Sequence, residues 1–278
     1  MSIFLLLLIL AGTVTASYMI SSNPSYSIEQ SSTVLPKYGV DFHQEWDYSN
    51  ATAISEINSL LEQLRSSGTF WTRGDFEYNL TADELYWSFC KSLGIKMLGI
   101  LNYGINGTGP SDPQWLTKIA NYVTQYVSAC ADVTAWEIGN EPSGPENPIT
   151  PAQYMEFFNC CYPIVKHYDP AALIIGPAVP CDQSAYLQTL KNDGLFKYVD
   201  AVSVHYYVRW GSTELSSIES VVAGSKPIWI TETGWDSINQ AGGVTAQNDY
   251  LYTYMNPKRH VCQGQEHSGD HLVPIGRF

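Results

Sequence analysis

Two hydrophobic runs in the chain end on a glutamate: Trp136-Glu137-Ile138-Gly139-Asn140-Glu141-Pro142 and Trp229-Ile230-Thr231-Glu232-Thr233-Gly234-Trp235. An apolar run that gives way to an acid beside small or polar residues is what a buried parallel strand produces where it delivers a side chain to the rim of a barrel. Two carboxyl groups across one mouth can divide acid/base work from nucleophilic work. Retaining cleavage of a glycosidic bond needs that division: one carboxyl stays protonated to assist the departing oxygen, and the other is ionised and attacks the anomeric carbon. Glu141 and Glu232 end the predicted fourth and seventh strands and meet the requirement. Glu137, taken to face away from Glu141's neighbours on the pleat, is read as structural.

The elements that must position these acids alternate along the chain. Short apolar runs predict strands at 38–42, 69–73, 95–101, 133–138, 172–175, 199–204 and 227–231. Helical spacing predicts helices near 51–66, 112–131, 150–168 and 245–255, with shorter ones after strands five and six. A further helix is expected to open at a capping box on Thr81 and Glu84 and to end at Gly94. Strand, helix, strand in units that share no internal repeat signature implies an α/β fold, a (β/α)8 TIM barrel. The eighth βα unit is missing or atypical: the polar stretch 257–278 offers only Leu272-Val273-Pro274-Ile275, which a proline interrupts.

With 278 residues, 45% hydrophobic and only 15% charged, the composition fits one large globular core and excludes a disordered chain. The net charge of −13 argues against nucleic acid or an anionic membrane as partner and leaves a neutral polymer open. The apolar start, closing on Val14 and Ala16, predicts a signal peptide over 1–16, with an uncleaved anchor as the alternative; either places the rest outside the cytoplasm, secreted or membrane-anchored. Residues 17–36, rich in Ser, read as a linker or N-terminal cover, 37–256 as units one to seven of the barrel, and 257–278 as an atypical polar tail. Six cysteines permit disulfides, with buried free thiols equally open.

Asn140-Glu141-Pro142 and Thr231-Glu232-Thr233-Gly234, in that strand order, resemble the paired signature of the clan A retaining glycoside hydrolases, the cellulase and β-glycosidase group of families five and thirty-nine. The resemblance covers about 37–256 and implies that Glu141 is the acid/base and Glu232 the nucleophile. Asn140 would bond the sugar 2-hydroxyl. Arg73 resembles the clan arginine that pairs with the nucleophile and favours its ionised form. His205-Tyr206-Tyr207 is similar to the clan's His-x-Tyr, so Tyr207 would donate to Glu232 while His205 orients a substrate hydroxyl or the acid. The chain departs from the pattern where many members carry a histidine after strand three: here stand Asn102 and Tyr103. The aromatic platform usual after strand eight has no counterpart, and Trp235 or Trp210 is the substitute.

The implied function is hydrolysis of β-O-glycosidic bonds in a β-glycan or oligosaccharide, a polysaccharide-degrading activity without metal or organic cofactor. No nucleic acid and no obligate protein partner are expected. Rival readings are a carbohydrate-binding pseudoenzyme with an incomplete barrel and a metal-dependent barrel hydrolase. Asp41, His43, Glu45 and Trp46 are either sugar ligands or an ordinary polar loop. Trp71, Tyr103, Trp210 and Trp235 are the aromatics best placed for a cleft. Asn50, Asn79 and Asn106 lie in glycosylation sequons. His260, Cys262, His267 and His271 match no zinc spacing.

Overall fold

The computed structural model describes residues 39–42, 51–66, 69–76, 79–145, 148–207, 214–234, 242–243, 245–247, 249 and 275–277. All fall within the unit Pro36–Phe278. The expected signal peptide, linker and most of the polar tail lie outside the described residues. Among those described, no helix is long and apolar enough to cross a membrane.

The fold is a (β/α)8 TIM barrel, nearly closed. Its strands are β1 (Gly39–Phe42), β2 (Trp71–Asp75), β3 (Lys96–Leu101), β4 (Ala135–Ile138), β5 (Leu173–Pro180), β6 (Ala201–His205), β7 (Ile228–Glu232) and β8 (Ile275–Arg277). They run in the order β7-β6-β5-β4-β3-β2-β1-β8, every pair parallel. The crossover helices are α1 (Ala51–Ser66), α2 (Leu80–Ser92), α3 (Trp115–Ala129), α4 (Pro151–Tyr168), α5 (Ser184–Asn192) and α6 (Glu214–Val222). The eighth stave exists: it starts directly after Pro274, pairs Gly39 with Ile275 and Asp41 with Arg277, and is three residues long. Proline cannot donate to a ladder, so the strand begins only once it is passed.

Several boundaries differ from expectation by one to five residues. β2 begins two residues later than predicted, at Trp71. The cap of α2 is Asn79, whose side chain accepts from the Ala82 amide at 3.3 Å; Thr81 is already inside the helix. β5 runs on through Pro180, five residues past its predicted end. The capping box at Thr150 and Gln153 opens α4, whose Pro151 sits at the first turn, where no amide bond is lost.

Strand alternation sorts the core into two layers. Trp71, Leu98, Ala135, Ile175, Ala201 and Trp229 form one cluster, one residue from each of six consecutive strands, and fill the lower barrel. The larger cluster packs the other strand faces against the helices, with Trp136, Phe76, Tyr154 and Phe157 fully buried within it. Trp136 lies edge to face with Phe76, centroids 5.0 Å apart, and donates its indole N–H to Asp169 at 3.3 Å. Gly99 leaves the room: a Cβ there would stand 2.7 Å from the Trp136 ring and 2.8 Å from Phe76. The described cysteines, Cys90, Cys130, Cys160, Cys161 and Cys181, are free thiols, and burial pushes Cys90 and Cys130 up to about 12.

Candidate active site

On β2, β4 and β6 the position two residues above the inward apolar residue is polar. Trp71 is followed by Arg73, Ala135 by Glu137, and Ala201 by Ser203 and then His205, all buried. The Arg73 guanidinium, fully buried, organises this upper layer. Its Nε donates to Glu137 at 2.6 Å, Nη1 to Glu232 at 2.7 Å and Asp41 at 3.2 Å, and Nη2 to Asn140 at 2.7 Å and His205 Nε2 at 3.3 Å. Guanidinium carries five N–H donors, so each has a partner. Burial works to lower its pKa, but the carboxylates of Glu137, Asp41, Glu232 and Asp75 outweigh burial and hold it well above the ordinary value.

Glu232 is the last residue of β7. Between β6 and β7 the pairing steps from Val204 with Ile230 to His205 with Glu232, skipping Thr231. Such an irregularity re-aims the next side chain, and it brings Glu232 into the mouth opposite His205. Besides Arg73, Glu232 accepts from the Tyr207 hydroxyl.

Glu141 lies beyond β4, at φ 45°. A glutamate in the left-handed region is strained, which its surroundings must over-determine. Its amide donates to the Ala178 carbonyl at 3.1 Å, and Ala178, at φ 55°, sits where the β5–β6 register shifts and donates its own amide to Ser203 Oγ at 2.8 Å. Gly139, at φ +92°, makes the turn out of the strand, with its Cα face against Tyr154. The Glu141 carboxylate meets His205 Nδ1 at 2.7 Å, and the same nitrogen is 3.5 Å from Glu232. One carboxylate oxygen each of Glu141 and Glu232 and a ring nitrogen of His205 all lie within 4.8 Å of one another.

The structure thus brings Arg73, Asn140, Glu141, His205, Tyr207 and Glu232 together. Asn102 stands at the rim and donates to Asp75 at 2.9 Å. Tyr103 is largely buried: its ring packs edge on against Phe157, and its hydroxyl donates to the Glu141 carbonyl at 3.4 Å. Trp235 and Trp210 lie outside the described residues. Two members of the cluster escaped the sequence reading of their place. Asp41, inside the predicted strand 38–42, is the buried third residue of β1, and its carboxylate is on Arg73, so it is neither an exposed sugar ligand nor a loop residue. Glu137 faces the barrel interior and not the opposite side; the signal was its spacing of two from Ala135 in an inward register.

The arrangement can hold an ionised carboxyl group beside a fixed cation and a phenol, with a second, more accessible carboxyl group across from it. Side-chain exposure is 3% for Glu232 and 34% for Glu141. Glu141, His205 and Glu232 are also close enough to share an ion. Arg73 at 2.7 Å from Glu232 already supplies the positive charge, and a second cation there would face Coulomb repulsion.

The fold is similar to several solved structures at low identity. A GH39 β-xylosidase from Caulobacter crescentus aligns with a TM-score of 0.63 and 13% identity over 90% of this chain and 64% of that one. An active-site mutant of Rhizomucor miehei β-1,3-glucanosyltransferase, in complex with laminaritriose, aligns at 0.60 and 13% identity over 86% of each chain. A glucosidase from Croceicoccus marinus aligns at 0.55 and 14% identity, and the chain spans only 54% of it. A comparison with curated proteins finds no match. Residues 111–261, more than half of the chain and containing both glutamates, match the family described as glycosyl hydrolase catalytic core, and the chain belongs to that family.

Proposed function

We propose that the protein is a clan A retaining glycoside hydrolase of the cellulase and β-glycosidase type, resembling families five and thirty-nine, that cleaves β-O-glycosidic bonds in a β-glycan or its oligosaccharides. Glu232 is the nucleophile and Glu141 the acid/base. The observation that carries this reading is the approach of their carboxylate oxygens to within 4.8 Å. Double displacement uses carboxyl groups about 5–5.5 Å apart, whereas inversion leaves about 6.5–9.5 Å for a water. Arg73 and Tyr207 place positive charge and a hydroxyl on Glu232, and both suit an ionised nucleophile and a carboxylate leaving group in the second step. Asn140 accepts from Arg73 through Oδ1, which leaves its amide N–H groups to donate to a sugar 2-hydroxyl, a bond that would strengthen as charge develops.

Similarity to a β-xylosidase and to enzymes of β-1,3-glucan supports a β-glycan substrate. The mechanism is tested with a 2-fluoro glycoside, which should form a stable adduct on Glu232 located by peptide mass spectrometry. Labelling of another residue, or inverted product configuration by proton NMR, would overturn it. Aryl β-glucoside, xyloside, mannoside and galactoside, with β-1,3-glucan, cellulose and mannan, identify the substrate. Binding of a glycan without turnover of any aryl glycoside would favour the pseudoenzyme reading. Activity that survives a chelator would dispose of a metal-dependent mechanism.

A further inference from the structure

Glu137 is an expensive residue for a barrel interior. It is fully buried, and its Oε1 has no hydrogen-bond partner among the described residues, although its Oε2 is 2.6 Å from Arg73 Nε. A buried carboxylate with one oxygen unsatisfied costs free energy. We infer that Glu137 is a positioning residue that sets both candidate catalytic carboxyl groups through Arg73, an inference that rests on the reading of Glu141 and Glu232 above.

The geometry makes the connection in two directions. Guanidinium is planar, so fixing its Nε edge on Glu137 fixes where the remaining N–H groups aim. Asp41 on β1 steadies the same plane from the other side. One of the fixed donors, Nη1, meets the Glu232 carboxylate at 2.7 Å. Another, Nη2, lies 3.3 Å from His205 Nε2. Guanidinium has no acceptor, so Nε2 must be the bare nitrogen and Nδ1 must carry the proton. His205 Nδ1–H then donates to Glu141 Oε1 at 2.7 Å, which leaves the transferable proton to Oε2. One plane therefore touches the nucleophile directly and, through one imidazole, settles the acid. The charged neighbours of Arg73 that share in this are Asp41 on β1, Asp75 on β2, Glu137 on β4 and Glu232 on β7.

The test compares the wild type with Glu137→Met, which keeps the volume but removes the acceptor, Glu137→Gln, which keeps an acceptor in place, and Glu137→Asp, which withdraws it by one methylene. Kinetics are measured on the best substrate beside thermal unfolding, and the His205 ring is observed by 15N NMR, with His205→Gln assigning its signal. Misplacement by about 1 Å costs about 100-fold in rate, so Glu137→Met is expected to lower kcat about 100-fold with KM changed less than about threefold. Glu137→Gln should recover at least about tenfold of that loss, as expected when a geometric hold is restored. The ring should report the Nδ1–H form in the wild type and Glu137→Gln, and a mixture of tautomers in Glu137→Met. Wild-type kcat and ring signal in a folded Glu137→Met, or losses that only follow the folded fraction, would overturn the inference. Should Glu137→Met not fold, Glu137→Asp decides: a kcat about tenfold lower supports the hold, an unchanged kcat refutes it. If the wild type turns over no glycoside, the proposed function fails, and the His205 ring still decides the role of Glu137.

Discussion

The two strand ends that carry glutamates are built differently. At β7 the acid is still within the strand, 3% exposed, and gripped by Arg73 and Tyr207. At β4 the acid lies past the strand, at a positive φ, 34% exposed, and its carboxylate touches His205. A group that must remain charged and attack from a defined point benefits from burial beside a fixed cation. A group that must pass a proton to a leaving oxygen and take one from water needs access. On the proposed reading, two carboxyl groups of identical chemistry are separated in role by their environments.

The contrast can be broken most severely at its buried end. Glu232→Ala is expected to lower kcat by about 10⁴-fold or more, the scale seen for loss of a covalent nucleophile, while calorimetry still shows glycan binding. Glu141→Ala should cost about 10²–10⁴-fold on a natural glycan but far less on an aryl glycoside whose leaving group needs no proton, so the ratio of the two rates sharpens the assignment. Equal losses on both substrates would sink it. Tyr207→Phe removes one hydrogen bond to a charged group and should lower kcat about 10- to 150-fold, with little change in thermal unfolding because Tyr207 is 40% exposed. Smaller still is the effect beneath β4. Burial raises the Asp169 pKa despite its bond from Trp136, so its contribution to stability is present below the unfolded value and lost as pH rises through the folded one. Asp169→Asn should therefore unfold at a higher temperature than the wild type at pH 7, with the gap closing near about pH 4.

Much of this contrast was legible in the chain. Glu141 and Glu232 stand out because a buried parallel strand is a near-continuous apolar run, and the run visibly stops at each acid. Arg73, His205 and Tyr207 lie at or just past the ends of such runs and join the site. Glu137 did not yield to the same reading, because its face was reckoned from Glu141. Glu141 is beyond the strand and in the left-handed region, where the alternation of two no longer carries. Asp41 falls inside the predicted strand 38–42, but a strand of only four residues is too short for its period to show that Asp41 faces the barrel interior. β8 was hidden for a related reason, being three residues that begin after a proline.

What the sequence by itself determined is local: which stretches are strands and helices, and therefore which acids reach one rim of a barrel. Periodicity and capping are interactions between near neighbours, and neighbours are visible in a chain. Only the tertiary structure decided that one guanidinium spans Asp41, Glu137, Asn140, His205 and Glu232. Those partners come from four strands or their ends, β1, β4, β6 and β7, and their convergence depends on skipped register at β5–β6 and β6–β7. A bulge changes the direction of a side chain without changing its identity, so composition and spacing carry no trace of it.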